Sequence, residues 1–455
     1  MGQKEINTND TICAPATATG GALSIIRVSG PAAFKAVSAL CSVCCDIVAA
    51  NTTHFTRLKD GSEIVDEAMV SIFRAPHSYT GEDAVELSCH GSPYILNRVL
   101  GLLVQHGCRM AQPGEFTKRA YLNGKMDLSQ AEAVADLIAS TNRASHQMAM
   151  SQLRGHFSSE LSKLRDQLLE LTSLLELELD FSDHEDLEFA DRTQLLNLAE
   201  KTDLRITALA RSFETGQALK HGVPVAIIGR TNVGKSTLLN RLLKDERAIV
   251  SDVHGTTRDT IEDVIDIQGV AFRFIDTAGI RQTTDQVEQI GIQRTYDAIA
   301  KARIVLWLFD QIPTEAEVAD LLERTAGKAL IPIRNKSDLG PLSCEAIAGR
   351  PVISISAKHA TALDILEQAT YRAANISDIQ ESDIVVSSVR HYQALLQAHE
   401  NLSRVLAGLR QDIPSDLLAE DLRLVLDNLA QITGQSRIVP SEVLENIFRH
   451  YCVGK

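Results

Sequence analysis

The chain has 455 residues, more than one core is expected to serve, since cores split beyond roughly 250–300 residues. Its apolar fraction of 44% and charged fraction of 23% are those of a globular protein. No apolar run approaches the roughly 20 residues of a membrane span, and polar Met1–Asp10 lacks a signal-peptide pattern, so a cytoplasmic place without a membrane partner is expected. Lys and Arg number 45 against 59 Asp and Glu, a net charge of −14 with no basic run, so any nucleic-acid contact must rest on a local patch or on a partner.

Residues 1 to about 120 read as a compact α+β unit. Ala22–Val28 alternates as a strand does, Gly30-Pro31 breaks it, and Ala32–Leu40 reads as helix. Asp66–Phe73 and Ala84–Cys89 are further strands, Tyr94–Gln105 has helical periodicity, and Asp60-Gly61 and Thr80-Gly81 mark turns. Cys41, Cys44 and Cys45 cluster without a second Cys/His pair at zinc-site spacing, which reads as buried thiols rather than metal ligands. Disulfides are not expected in a cytoplasmic chain.

From about Leu128 to Leu219 the sequence is rich in Ala, Leu and Glu and poor in Gly and Pro. Leu161, Leu164, Leu168, Leu171 and Leu175 recur at i+3/i+4, the stripe of a helix with one buried face. Asp180–Asp183 interrupts it, and a further helix is expected over 193–213. From Lys220 onward, apolar runs at 223–228, 272–275, 303–309, 329–333 and 351–355 alternate with helical stretches, the pattern of a mostly parallel sheet covered on both faces. Helical character resumes at 391–409, 414–433 and 441–451. The fold class read from this is multidomain: an α+β N-terminal domain over 1–120, a discontinuous α-helical domain over 121–219 and 376–455, and an inserted α/β P-loop domain over 220–375.

The strongest motif is Gly229-Arg230-Thr231-Asn232-Val233-Gly234-Lys235-Ser236, between the strand at 223–228 and a helix opening at Thr237. Its backbone N–H groups and the helix N-terminus suit phosphate, Lys235 suits the β- and γ-phosphates, and the Ser236 hydroxyl suits Mg²⁺. Asp276-Thr277-Ala278-Gly279 follows a strand, where the Asp can hold Mg²⁺ through water and the Gly N–H can meet the γ-phosphate. Asn335-Lys336-Ser337-Asp338 ends another strand, and an Asp carboxylate there can accept the N1 and N2 hydrogens of guanine, which adenine does not offer. Ser356-Ala357-Lys358 can support the base, and a threonine of Gly255-Thr256-Thr257-Arg258-Asp259 can complete the Mg²⁺ shell. Five segments in this order point to GTP.

Ile280 follows Gly279, where Ras-like proteins carry a water-orienting Gln, so another polar group is needed; Glu288, Gln282 and Arg281 are near. No arginine finger is evident. Asn232 reads either as a turn residue or as a carboxamide that ligates a monovalent cation where such an arginine would sit.

These segments, with both flanks, resemble the tRNA-modification GTPase family MnmE (also called TrmE) over nearly the whole chain. The resemblance rests on the tail Cys452-Val453-Gly454-Lys455, on Tyr79–Asp83, Pro113-Gly114-Glu115-Phe116 and Leu128–Ala133, and on the central motifs. It implies a homodimer whose N-terminal domain binds a tetrahydrofolate derivative (5-formyl or methylene) through Arg27, Glu86, Lys125 and Lys455. It implies K⁺ held by Asn232, Ser251, Val253 and Thr256, and Mg²⁺ held by Ser236 and Thr257. The nucleotide set is Asn232, Val233, Gly234, Lys235, Ser236, Thr237, Ser251, Asp252, Val253, His254, Gly255, Thr256, Thr257, Asp276, Thr277, Ala278, Gly279, Asn335, Lys336, Ser337, Asp338, Ser356, Ala357 and Lys358. The catalytic set is Glu288, as the water-orienting residue, Asn232 and Cys452; the last serves the modification chemistry or is a tail thiol without a chemical role. Partners implied are GTP, tRNA and a flavoprotein of the MnmG (GidA) type that brings FAD in a heterotetramer, with wobble-uridine C5 as the modified atom. The chain departs from the family at Gln112, where Arg is frequent, and at Thr17–Gly21, where many members carry a Gly-Arg-Gly-Gly-like loop. Two other readings use the same motifs: an Era-like assembly GTPase without modification chemistry, and a folate enzyme resembling the glycine-cleavage aminomethyl carriers with a regulatory G domain.

Overall fold

The computed structural model describes residues 10–18, 20–180, 192–245, 263–275, 288–340, 344–376, 384–411, 413–435, 447–448 and 454. It divides into two compact units, residues 1–135 with 427–455, and residues 136–426.

The first unit is built on a six-stranded sheet in the order β3-β4-β5-β2-β1-β6. Its strands are β1 (Thr11–Pro15), β2 (Leu23–Ser29), β3 (Thr52–Asp60), β4 (Glu63–Phe73), β5 (Ala84–His90) and β6 (Cys108–Met110). Only β1 and β6 pair in parallel. Helices α1 (Ala33–Ser38) and α2 (Pro93–Gln105) cover one face, where Phe34, Val37, Leu96, Val99 and Leu103 pack on Ile26, Val28, Val70, Ile72, Val85 and Leu87. Because side chains alternate along a strand, burying Ile26 and Val28 sends Arg27 to the opposite face, and burying Val85 and Leu87 does the same for Glu86. The register sets Arg27 directly across from Glu86. On that face Ile12, Ala14, Ala111 and Phe116 form a small second core, Phe116 from α3 (Glu115–Leu122).

The strands expected from Ala22 and at 66–73 and 84–89 are present, as is the helix at 94–105; β1, β3 and β6 were not anticipated. The expectation of buried thiols holds for Cys45, fails for Cys44, which is exposed, and holds in part for Cys41.

In the second unit the leucine stripe lies on α6 (His156–Asp180), with Leu161, Leu164, Leu168, Leu171 and Leu175 all at most 2% exposed. Helix α7 (Arg192–Arg211) packs on α6, and Arg205 of α7 pairs with Glu160. The second sheet runs β14-β11-β10-β7-β9-β8: β7 (Val223–Ile228), β8 (Asp263–Ile267), β9 (Val270–Phe274), β10 (Ile304–Phe309), β11 (Ala329–Arg334) and β14 (Ile353–Ser354). Neighbours are parallel except β8, which runs antiparallel to β9 at the edge. This is the mostly parallel sheet expected, with one hairpin edge added. Helix α5 (Arg143–Leu153) and helix α8 (Phe213–His221) contribute Ala144, Met148, Ala218 and Leu219 to the same core as Val225, Leu238, Phe272 and Leu306. No helix among the described residues is long and apolar enough to cross a membrane.

Candidate functional site

Ligands of parallel α/β sheets sit beyond the carboxyl ends of the strands, and the described motifs converge there. The loop after β7 leads into α9 (Lys235–Asp245). Asn232 is exposed in the left-handed region at φ +61°, a conformation that Asn tolerates better than most residues, and no described hydrogen bond engages its carboxamide. Val233 points the other way, 1% exposed in the sheet core, and anchors the loop. Lys235 Nζ donates to Gly229 O at 2.6 Å and Arg230 O at 2.8 Å, and burial draws its ammonium below the ordinary lysine value. Ser236 is half-buried at the helix N-terminus, with Thr237 exposed after it.

Asn335 follows β11 and joins three segments. Its Nδ2 donates to Val233 O at 2.8 Å, and its Oδ1 accepts from Ala357 N at 3.0 Å. Being 4% exposed, it ties the phosphate loop to Ser356-Ala357-Lys358. Gly234 at φ +100° lies under this amide: a Cβ there would sit 2.3 Å from Asn335 Nδ2. Ser356 Oγ donates to Asp338 Oδ1 at 2.6 Å and holds that carboxyl below its usual range. Lys336, at φ +60°, extends to Asp310 Oδ2 at 2.7 Å. The structure therefore brings together Asn232–Thr237, Asn335–Asp338 and Ser356–Lys358 at one end of one sheet. A cleft of about 310 Å³ lies beside the loop, lined by Gly229, Arg230, Tyr296, Trp307, Phe309 and Glu317, and does not include Lys235, Asn335 or Asp338. Residues 251–257, 276–279, 281, 282, Cys452 and Lys455 lie outside the described residues, and Glu288 is described only as the first residue of the helix Glu288–Lys301.

A second constellation lies in the first unit. Arg27 donates to Glu86 Oε1 from Nε at 2.9 Å and pairs with it from Nη2 at 2.8 Å. Its Nη1 donates to Gly454 O at 3.2 Å, across 427 positions of sequence. The guanidinium carbon lies 5.3 Å from the Tyr79 ring centre and 5.7 Å from that of Phe116, within cation–π range. Tyr79 OH is 2.8 Å from Thr117 Oγ1. Gly454, at φ +97°, passes so close to β1 that a Cβ would lie 2.0 Å from Pro15 O. Lys125 Nζ donates to Pro76 O at 2.8 Å. Three of the four residues expected to meet folate are thus described, and Arg27 and Glu86 are in direct contact.

Sequence reading did not single out Tyr79 and Phe116 as partners of Arg27, nor the ion network beneath them. Arg119, 1% exposed, pairs with Asp10, Glu82 and Glu115, and Arg109 pairs with Asp10 and Glu115. The available signal was the i,i+4 spacing of Glu115 and Arg119 on a helix with Phe116 and Ala120. At the two departures from the family pattern, Gln112 N donates to Glu115 Oε2 at 2.8 Å, and Thr17 Oγ1 accepts from Ile25 N at 3.0 Å.

Comparison with known proteins identifies the family. The family model described as the MnmE helical domain matches residues 128–452, and that of the GTP-binding protein TrmE N-terminus matches residues 11–125. The chain is 48% identical to the tRNA modification GTPase MnmE of Phocaeicola vulgatus over 99% of its own length and 100% of the relative's. It is 50% identical to that of Bacteroides thetaiotaomicron over 98% and 99%. Among solved structures, the G domain of the T. maritima FeoB iron transporter aligns with 33% of this chain and 98% of its own at 24% identity, with a TM-score of 0.25. The chain belongs to the MnmE family of tRNA-modification GTPases and is a GTP hydrolase that takes part in tRNA modification.

Proposed function

We propose that this chain is a K⁺-dependent GTPase that, with a flavoprotein partner, modifies C5 of the wobble uridine of certain tRNAs by aminomethyl or carboxymethylaminomethyl addition, using a folate one-carbon unit. The observation that carries it is the convergence of Glu86 and the tail carbonyl of Gly454 on Arg27, whose guanidinium also lies against the Tyr79 and Phe116 rings. A cationic group beside a carboxylate suits a ligand that pairs acidic groups with a hydrogen-bonding ring. Both Arg27 contacts use Glu86 Oε1, so Oε2 remains to accept pterin N–H groups, while Arg27, Lys125 and Lys455 suit carboxylates. Cys452, three positions before Lys455, is the thiol we assign to the modification step.

In the nucleotide domain, Lys235 and the N–H groups of Val233–Thr237 would take the β- and γ-phosphates, Ser236 and Thr257 would hold Mg²⁺, and Asp338 with Ser356–Lys358 would take guanine. Asp276–Gly279 and 251–257 complete this assignment. Asn232, with an exposed carboxamide, would hold K⁺ together with Ser251, Val253 and Thr256. Potassium bound there supplies positive charge near the transferring phosphoryl group, an effect worth up to roughly 10³–10⁵ in rate when an arginine finger provides it. Glu288 would orient the attacking water. We place the chain as a homodimer in the cytoplasm, in a heterotetramer with the FAD-bearing partner, with domain bounds at about 120, 219 and 375. The acidic balance of −14 fits tRNA being held largely by that partner.

The test compares GTP turnover in K⁺ and Na⁺ at equal ionic strength. Turnover should be much faster in K⁺, and Glu288→Ala should slow it while leaving nucleotide affinity nearly intact. Equal rates in the two salts refute the cation site. Nucleoside analysis of tRNA from cells lacking the chain tests the modification: an unchanged wobble uridine refutes that part.

A further inference from the structure

Between α1 and β3 the chain carries Cys41, Cys44 and Cys45 in a loop that the nucleotide and folate readings leave unused. Cys41 Sγ lies 3.3 Å from Val37 O and 3.6 Å from Val43 O, and Cys45 Sγ lies 3.8 Å from the same Val43 O. Both sulfurs approach the same carbonyl oxygen, which sets the two thiols on the same side of the loop. Cys41 is partly exposed, Cys45 is buried and Cys44 is exposed. The loop is fastened on both sides of the pair. Cys45 N donates to Ser38 Oγ at 2.9 Å, and Arg74 Nη2 donates to the carbonyls of Cys45, Asp46 and Val48 at 3.0, 2.7 and 2.8 Å. Arg74 is itself held over the Phe34 ring, 4.8 Å from its centre. The clamp keeps Cys45 beside Cys41 rather than letting it swing to solvent.

We propose that Cys41 and Cys45 form a surface dithiol that low-molecular-weight disulfides of the glutathione class oxidise to an intrachain disulfide, with Cys41 attacking and Cys45 resolving. In the first step the Cys41 thiolate attacks one sulfur of the oxidant, its S–S bond breaks, and one thiolate leaves. In the second, Cys45 gives up its proton to solvent and attacks the Cys41 sulfur, and the second thiolate leaves. The protein loses two electrons and two protons overall, and the small disulfide becomes two thiols. The division of labour follows from the environments. Cys41 is drawn below the ordinary thiol value by its Cys45 neighbour, with the Val43 backbone and Thr56 adding to this against the opposing effect of burial, while Cys45 is pushed up. The most effective attacking thiol has a pKa near ambient pH. Only Cys41 of the pair reaches solvent, so the oxidant meets the more acidic thiol first.

The experiment treats the reduced full-length protein with oxidised glutathione at neutral pH and follows it by intact and peptide mass spectrometry. The expected product has lost two hydrogens, both from the peptide holding Cys41 and Cys45. Cys44→Ser should behave as the wild type, Cys41→Ser should lose the closure, and Cys45→Ser should stop with one glutathione on Cys41. A dominant product linked through Cys44, or a wild-type protein that stays as a glutathione adduct, overturns the proposal. Because Cys45→Ser alters a buried position, a second measurement uses unaltered protein: the alkylation rate of Cys41 against pH should have a midpoint below the ordinary thiol value of about 8.5, and a midpoint at or above that value refutes the assignment of Cys41 as attacker.

Discussion

Asn335 offers a test of how much of the nucleotide site is built before any nucleotide arrives. Replacing it with Ala removes the donor to Val233 O and the acceptor from Ala357 N, both buried contacts. Each orphaned backbone group costs roughly 1–3 kcal/mol. The pair should cost about 2–5 kcal/mol, allowing for partial access of water to one of them. For a domain of this size about 1 kcal/mol moves Tm by roughly 2–4 °C, so a fall of about 5–15 °C is expected. The chain has one tryptophan, Trp307, paired in register with Ile228 at the foot of the phosphate loop. Its fluorescence therefore reports unfolding of this domain within the full-length protein. The measurement is made without nucleotide. If Asn335 served only to contact guanine, nucleotide-free stability would be unchanged and only affinity would fall; an unshifted Trp307 transition would falsify the staple reading. Asn335→Asp sharpens the test. It keeps the acceptor for Ala357 N but sets a carboxylate oxygen against Val233 O, so it should rescue little of the loss.

Three further outcomes are expected. Arg119→Ala leaves Glu115, itself 1% exposed at the side chain, and Glu82 without their buried cation, and should cost about 3–5 kcal/mol in chemical denaturation. In the same network burial pushes Asp10 and Glu115 up, but hydrogen bonds from Arg109, with Arg119 on Asp10 and Gln112 N on Glu115, outweigh it and hold both below their usual values. Their stabilisation is therefore present above the unfolded values of about 3.9 and 4.3 and lost as pH falls through the lower folded values. Urea titrations from pH 6 to 2 should show this decline, and Glu115→Gln should flatten it. Leu171→Ala, at 0% exposure on α6, should cost about 2–5 kcal/mol in urea unfolding, and a cost below about 1 kcal/mol would remove α6 from the core.

What the sequence revealed and what it hid divide by range. The phosphate loop was legible because its glycines, Lys235 and Ser236 act within one strand–loop–helix unit, and the leucine stripe because one helix carries it. The strands β3 and β8 were missed because they lie at sheet edges. There half of each strand faces solvent and the pattern is diluted by Thr, His, Lys and Asp. β1 and β6 are too short for periodicity to register. The Arg27 constellation was reached only through family resemblance, since its parts come from β2, β5, the loop before β5, α3 and the tail. Glu82 and Glu115 fall in stretches that carried that resemblance, but nothing local says that both serve Arg119.

The two constellations share a construction that bears on how the site residues should be read. Asn335 belongs to a base-recognition motif, yet its described bonds go to Val233 and Ala357. Arg27 is assigned to a ligand, yet its described bonds go to Glu86 and Gly454. In each case a polar side chain crosses the gap between segments remote in sequence and fixes backbone groups that flank the assigned ligand position. Such a residue contributes twice, once by direct contact and once by holding its neighbours where contact is possible, and the second contribution exists whether or not ligand is bound. A loss of activity on substituting either residue therefore does not separate the two. The separation comes from stability measured without ligand: a positioning role lowers it in proportion to the buried groups left unpaired, and a contact role leaves it where it was.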